Sequence, residues 1–318
     1  MRDVIPAINQ WLAAQKSIAL ATVIQTWGSA PRKAGSHMAI AENSEIAGSV
    51  SGGCVEGAVV QAALEVLKTG TPQLLHFGVA NDTAWDVGLA CGGEIDIFVQ
   101  PLNTNFYQSA LSTIQQDKPL VYETVISGDP SKLGNIIILG GPSGIPGPVR
   151  KSTPEKDVFT NVIAPKPTLI IVGGVQIAIA LAKFAAVLDY KIAVVDPRKA
   201  FGSKSRFPEI NDLFQIWPQE AFEQIGITVS TAIATLTHDP KIDDPALAGA
   251  LNSDAFYIGA LGSKKTQASR KKRLLDQGFT EDQISRIKGP IGFQIGAQTP
   301  EEIALSIMAE IIAEQHAI

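Results

Sequence analysis

Residues 169–196 read LIIVGGVQIAIALAKFAAVLDYKIAVVD and contain two short apolar runs separated by a longer apolar segment. The outer runs are typical of buried parallel strands, and the apolar positions between them recur with helical periodicity. Further strands are predicted at 213–217, 231–239 and 255–262, each followed by helical sequence. This alternation predicts a doubly wound parallel sheet of the Rossmann type, whose ligands bind at the carboxyl ends of the strands.

The first half of the chain is less regular, and we expect an α+β domain there. Six of the 19 prolines fall within residues 140–167, a density typical of a linker. We therefore predict an N-terminal domain over residues 1–139, a linker over 140–167 and a Rossmann-like domain over 168–318. The predicted fold class is α/β overall.

Composition excludes several classes of protein. The chain has 318 residues, 45% of them hydrophobic, and a net charge of −5. That balance gives no electrostatic case for nucleic-acid binding, and no apolar run is long enough for a membrane helix. Only two cysteines occur, so the chain cannot supply a four-cysteine zinc or iron–sulfur site. We expect a cytoplasmic protein.

The turn after the first strand of the second half departs from a dinucleotide fingerprint. The G-x-G-x-x-G/A positions are Gly173, Val175 and Ala178, so a branched side chain replaces the second glycine. Asp196 ends the next strand where a ribose-binding acid is expected, and Arg198 follows it. The pattern predicts a Rossmann scaffold that binds NAD(P) poorly or not at all.

Two further loops of the second half are candidate ligand contacts. The turn at residues 259–265 follows a strand and opens a helix, so its backbone N–H groups suit a phosphate or one half of a nucleotide. Its candidate residues are Gly259, Gly262, Ser263 and Lys264. His238 follows another strand end on the same side of the predicted sheet, although a lone histidine is more often structural.

Residues 48–57, GSVSGGCVEG, are called the cysteine loop below. They place Cys54 at or near the start of a predicted helix, where backbone N–H groups and the helix dipole stabilise a thiolate. Such a cysteine suits a nucleophile, a persulfide carrier or a soft-metal ligand; the alternative is a small buried apolar residue. We assign the reacting groups to Cys54 and Glu56, and ligand contacts to Ser51, Gly52 and Gly53.

A second cysteine stands beside paired glycines at Cys91, Gly92 and Gly93. Two such loops in one domain are less expected by chance than one, and if they converge, their backbone amides can clamp one anionic, sulfur-rich ligand. The turn at residues 28–33 adds Arg32, whose guanidinium can bind phosphate in bidentate fashion.

Several motifs together resemble the XdhC/CoxI family of molybdenum-hydroxylase maturation proteins over nearly the whole chain. The first half carries GSAPRKAG, GSVSGGCVEG and GLACGGEIDIFV, and the second carries VVDPRKAF, LTHDPKIDDPAL, YIGALGSKKT and GPIGFQIGAQTPEEIALSI. One difference is that Gly173-Gly174-Val175-Gln176 replaces the Gly-Ala-Gly-His loop that is usual in the family.

The resemblance implies a chaperone rather than a free-standing enzyme. Family members bind molybdenum cofactor, as molybdopterin or its dinucleotide form, and promote the exchange of Mo=O for Mo=S with sulfur from a cysteine desulfurase. They then deliver the cofactor to a xanthine-dehydrogenase-like apoenzyme. Cys54 matches the cysteine tied to cofactor binding and is the candidate molybdenum contact. The resemblance also suggests a homodimer.

Two alternatives remain open. One is an NAD(P)-dependent oxidoreductase, or an accessory component of a xanthine dehydrogenase complex, in which Gly173, Gly174, Asp196 and Arg198 would contact the nucleotide. The other is an adaptor that docks on the client enzyme without carrying cofactor.

Overall fold

A computed structural model describes residues 1–29, 32–78, 93–140 and 147–316. The chain divides into two compact units, Met1–Pro165 and Lys166–Ile318. In the described part of the chain, no helix combines the length and the apolar character needed to span a bilayer.

The first unit contains a five-stranded antiparallel sheet with strand order β3-β2-β1-β5-β4. Its strands are β1 (Ile18–Trp27), β2 (His37–Ala41), β3 (Ile46–Gly48), β4 (Gln73–Phe77) and β5 (Glu94–Pro101). The helices of this unit are α1 (Ile5–Ala13), α2 (Glu56–Thr69) and α3 (Thr104–Gln115). Helix α2 packs its Val59, Ala63 and Val66 against the buried side chains of β1 and β5. The α2 helix ends where the sequence predicts, at Gly70 in a left-handed conformation.

A second antiparallel sheet completes this unit, with strand order β7-β6-β9-β8. Its strands are β6 (Leu120–Ser127), β7 (Ile136–Gly140), β8 (Val149–Ser152) and β9 (Asp157–Ile163). The structure therefore differs from the predicted linker over 140–167, because residues 149–163 form two strands of a sheet. The prolines of this stretch flank those strands rather than interrupt them, which is the position that a strand tolerates.

The second unit is the doubly wound sheet that the sequence predicts. Its strands are β10 (Thr168–Val172), β11 (Lys191–Val195), β12 (Asp212–Phe214), β13 (Thr231–Thr235), β14 (Tyr257–Ala260) and β15 (Ile287–Lys288). All pairs are parallel, in the order β12-β11-β10-β13-β14-β15. Counted from the first strand of the unit, this is the Rossmann order 3-2-1-4-5-6, with the topological switch point between β10 and β13. The α/β fold class is thus confirmed.

Helices cover both faces of this sheet. They are α4 (Gln176–Val187), α5 (Pro218–Ile225), α6 (Pro240–Leu251), α7 (Lys264–Asp276), α8 (Glu281–Ser285) and α9 (Pro300–His316). Residues of α4 and α9 share one buried cluster with the sheet, and residues of α5 and α6 share another. The start of α9 is the predicted capping box, since Thr299 and Glu302 exchange backbone-to-side-chain hydrogen bonds of 3.1 and 3.2 Å.

Candidate functional site

The cysteine loop is anchored to the core at two points. Val50 and Val55 are fully buried in the cluster beneath the first sheet. Between them, Gly52, Gly53 and Cys54 are exposed. Both glycines have positive φ, +82° and +125°, a conformation that a side chain would disfavour. The buried Val50, Ser51 and Val55 thus fix both ends of a tight turn in which Gly52, Gly53 and Cys54 are exposed.

The carboxylate of Glu56 lies at the centre of this turn. Its Oε1 accepts hydrogen bonds from the Ser49 hydroxyl at 2.7 Å and from the backbone N–H groups of Val50, Ser51 and Gly52 at 3.3, 2.9 and 3.0 Å. Its Oε2 accepts from the Ser51 hydroxyl and from the Gly53 N–H, the latter at 2.8 Å. The amides that the sequence assigns to a ligand are therefore directed at a carboxylate of the chain itself.

These bonds fix the protonation state of Glu56. Burial alone would raise its pKa, but the hydrogen bonds from Ser51 and Ser49 and from the loop backbone outweigh burial and lower the pKa to about 2. A carboxylate that stays ionised down to this pH is a poor general acid or base near neutrality. The hydrogen bonds and the lowered pKa therefore do not favour the predicted role of Glu56 as a reacting group.

Cys54 is a free, exposed thiol. This excludes the alternative of a small buried apolar residue. Val55 is the N-cap residue and α2 begins at Glu56, so Cys54 lies just outside the helix rather than in its first turn. The thiol is accessible to a ligand at the surface of the loop.

Arg32 contacts the cysteine loop, close to the residues with which the sequence groups it. Its Nε donates to the Ser49 carbonyl oxygen at 3.1 Å, and its Nη2 lies 3.2 Å from the Asp3 carboxylate. Cys91 and Gly92 lie outside the described residues, and Gly93 directly precedes β5. Among the described residues, no group of three or more histidine, cysteine or acidic side chains could hold a metal ion.

In the second unit, the predicted ribose-binding acid is already paired. Asp196 is fully buried and accepts from the Gly174 N–H at 2.9 Å and from Arg198 Nε and Nη2 at 2.8 and 2.7 Å. Burial alone would raise the pKa of Asp196, but the bonds from Arg198 and Gly174 outweigh burial and lower it. Asp196 therefore organises the loop after β10 and does not present a free carboxylate to a ribose.

The chain itself also covers the glycine turn after β10. A Cβ on Gly174 would stand 2.2 Å from the Phe201 carbonyl oxygen. Arg198 stacks over the Phe201 ring at 4.1 Å, and Arg206 donates to the Gly174 carbonyl at 3.2 Å. Residues 198–206 therefore pack directly against the backbone of the turn after β10.

The structure puts His238 at the switch point. It has a φ of +63°, an uncommon conformation for a non-glycine residue, and follows Thr237 after β13. A Cβ on Gly173 would lie 2.4 Å from Thr237 Cγ2, so the turns after β10 and β13 pack directly on each other. Gly173 and His238 are thus at neighbouring turns, as their sequence positions predict.

The other glycine turn is built mainly for packing. Gly259 lies inside β14, where a Cβ would meet Ile291 at 2.5 Å, so core packing requires a glycine there. Gly262 has a φ of +134° and Ser263 caps α7 by accepting from the Thr266 N–H at 3.2 Å. Lys264, the first residue of α7, is exposed. The predicted phosphate contact at this turn is reduced to Lys264 and the helix start.

A polar network that sequence reasoning missed joins both sheets of the first unit. The buried Asp96 accepts from His76 Nδ1 at 2.6 Å and from Arg150 Nη1 at 2.7 Å, and Arg150 Nη2 reaches Asp157 at 2.7 Å. His76 is itself largely exposed, beside Trp27. Because the Asp96 carboxylate bonds Nδ1 of His76, it orients the ring, and Nε2 takes no part in this bond. Asp96 and His76 are brought together by the pairing of β4 with β5, which the sequence analysis does not predict, and Arg150 comes from a stretch predicted as linker.

The fold and the site together define a class: a protein with a cysteine-bearing α+β unit followed by a Rossmann unit whose strand-end acid, Asp196, is paired with Arg198. Residues 11–78 match the model of the XdhC and CoxI family, and residues 169–311 match that of the XdhC Rossmann domain. The chain belongs to the XdhC and CoxI family.

Relatives carry two kinds of name. The chain is 30% identical to a Bacillus subtilis protein named as a probable xanthine dehydrogenase subunit, over 96% of this chain and 95% of that protein. It is 28% identical to the molybdenum cofactor insertion chaperone PaoD of Escherichia coli, over 94% and 84%. The crystal structure of a Bacillus halodurans protein described as a xanthine dehydrogenase superposes with a TM-score of 0.79 at 25% identity, covering 98% and 96% of the two chains.

Proposed function

We propose that this protein binds molybdenum cofactor at the cysteine loop and delivers it to a molybdenum hydroxylase apoenzyme. The observation that carries the proposal is the exposed Cys54 thiol, presented by a turn whose two ends are fixed in the core. The similarity to PaoD, a molybdenum cofactor insertion chaperone, supports the same direction.

The donor set fits this cargo. Cys54 offers a thiolate sulfur, a soft ligand suited to the metal of the cofactor. Arg32 donates to the Ser49 carbonyl of the loop and is half-exposed, so it can meet the negative charge of a pterin phosphate in competition with its present partner Asp3. The amides of residues 51–53 are not available for that phosphate while Glu56 occupies them.

Further parts of the proposal rest on the family resemblance. They are assistance in exchanging Mo=O for Mo=S, a cysteine desulfurase as the sulfur source, a homodimeric state and a cytoplasmic location. The cargo is molybdopterin or its dinucleotide form, and analysis of the copurified pterin distinguishes the two.

The test compares wild type, C54A and C54S made in cells that synthesise molybdenum cofactor. Molybdenum and pterin that copurify with the protein are measured per chain. We expect near-stoichiometric cofactor in wild type and at least a ten-fold loss in both variants, about the ratio that ~1.4 kcal/mol of lost binding energy produces. The exposed Glu65→Gln in α2 is the matched control and keeps its cofactor. Equal retention by C54A and wild type would remove Cys54 from the site.

A second candidate is an accessory component of a xanthine dehydrogenase complex that uses NAD(P). The Rossmann strand order and the name of the Bacillus subtilis relative favour it. The buried Asp196–Arg198 pair and the approach of Phe201 to Gly174 oppose a dinucleotide in the usual pose. Cofactor carriage therefore stands first.

A further inference from the structure

Six hydrogen bonds of the cysteine loop end on one carboxylate. Four backbone N–H groups, of Val50, Ser51, Gly52 and Gly53, and two serine hydroxyls surround Glu56. Consecutive N–H groups that converge in this way form a concave site for an oxyanion. In this protein the oxyanion is supplied by the chain itself.

The occupied oxyanion site limits how any cargo can bind. As long as Glu56 is in place, a phosphate or molybdate oxygen of a ligand cannot use the same donors. The groups that remain for a ligand are those that project outward from the turn, and Cys54 directly follows the last of the four bonded amides. The shape of the turn that presents Cys54 thus depends on the charge held inside it.

We propose that Glu56 is a positioning residue: its ionised carboxylate acts as an internal anion that holds the turn in the shape that presents the Cys54 thiol to the cargo. This inference rests on the proposed function of Cys54. It assigns Glu56 no contact with the cargo and no proton transfer.

Substitutions at Glu56 distinguish charge from simple space filling. E56Q keeps the size of the side chain, but it replaces one acceptor oxygen with an NH₂ group, which is a donor. At least one N–H of the turn therefore loses its acceptor. E56A empties the oxyanion site and leaves room for a small carboxylate from solution. Formate is therefore a probe that can replace the missing group in E56A but is blocked in E56Q.

The first readout is hydrogen exchange of the peptides that cover residues 48–57, followed by mass spectrometry. We expect slow exchange at the loop amides in wild type and in the control E65Q, and at least ~10-fold faster exchange in E56Q and E56A, because their N–H groups lose charge-assisted bonds. Adding formate at constant ionic strength, with chloride as the matched salt, slows exchange again in E56A only.

The second readout is the cofactor retained per chain. We expect E56Q and E56A to retain about ten-fold less than wild type, with retention by E56A recovered in formate and not in chloride. A merely structural contribution of Glu56 to helix α2 would not respond to formate in this selective way. Thermal unfolding of each variant confirms that the unit stays folded at the assay temperature.

The outcomes separate the two proposals. If wild type holds cofactor, C54A does not, and E56Q still does, the positioning role of Glu56 is wrong while the proposed function stands. If wild type holds no cofactor, the proposed function is wrong. Hydrogen exchange at the loop amides then tests whether Glu56 acts as an internal anion. The alkylation rate of Cys54 in E56A, with and without formate, tests whether that anion positions the thiol. If formate does not change this rate, the inference is wrong.

Discussion

At the scale of single residues, the charge of Glu56 links loop structure to acid stability. The pKa of this carboxyl is about 2 in the folded loop, against an ordinary value of 4.5. A lowered folded pKa means that the stabilisation is fully present above about pH 4.5 and is lost as the pH falls toward 2. Because the side chain is partly solvated, the contribution is about 1–2 kcal/mol after discounting for screening.

We therefore expect the free energy of unfolding of E56Q to fall less than that of wild type as the pH is lowered. Urea unfolding at pH 5 and at pH 2.5 measures the change in the free energy of unfolding for each variant. Wild type and the control E65Q should lose about 1–2 kcal/mol more than E56Q over this interval. Parallel pH curves for wild type and E56Q would show that the loop bonds do not hold the carboxylate in its charged form.

The sequence marks Cys54, Glu56 and the loop amides as candidate site residues, but it does not show which of them contact one another and which face a ligand. The glycines around Cys54 and the nearby Glu56 indicate a constrained polar loop, and the structure shows in addition that Cys54 is exposed. Whether the N–H groups face a ligand or a side chain depends on the rotamer of Glu56 and on two positive φ angles, which no periodicity encodes. Asp196 shows the same limit, because its position predicts a ribose contact while Arg198, two residues later, pairs with it.

At the scale of secondary-structure elements, Asp96 joins three strands from two sheets. It lies on β5, and it bonds His76 on β4 and Arg150 on β8. Removing its charge leaves the guanidinium of Arg150 with one carboxylate instead of two. Because Arg150 keeps Asp157, the cost is that of weakened hydrogen bonds to charged groups, about 2 kcal/mol.

D96N should accordingly lower the free energy of unfolding of the first unit by about 2 kcal/mol. The matched control is E94Q, an exposed change two residues earlier on the same strand, which should stay within about 0.5 kcal/mol of wild type. Chemical denaturation followed by circular dichroism gives both values. A D96N curve that overlays the E94Q curve would mean that the network does not hold the two sheets together.

The segment that follows β11 bears on whether the Rossmann unit binds NAD(P). Phe201 packs closely on Gly174, Asp196 is engaged by Arg198, and Val175 replaces the second glycine of the fingerprint, and all three features disfavour a dinucleotide in the usual pose. We expect no saturable binding of NAD(H) or NADP(H) up to about 1 mM by calorimetry, with a nicotinamide-dependent dehydrogenase as the positive control. Binding with a dissociation constant in the micromolar range would instead support the second candidate function, an accessory component that uses NAD(P).

At the scale of the whole molecule, the Rossmann unit is predictable and the division of the chain is less so. Apolar strands that alternate with helices leave few other topologies, because parallel strands need crossovers and those crossovers are right-handed. The first unit is built from antiparallel sheets, whose pairing depends on long-range register. Residues 149–163 illustrate this, since their many neighbouring prolines indicate a linker although β9 pairs with both β6 and β8.

The two units have separate cores, which gives the proposed site a test at this scale. One buried cluster lies between α2 and the first sheet, and another lies between α4, α9 and the parallel sheet. Residues 1–165 and 166–318 expressed separately should each unfold cooperatively, because each keeps its own buried apolar surface. Since Cys54, Glu56 and Arg32 all belong to the first unit, residues 1–165 should retain molybdenum and pterin, and residues 166–318 should retain none. Cofactor found on a folded 166–318 fragment would move the site to the switch point near His238, away from the cysteine loop.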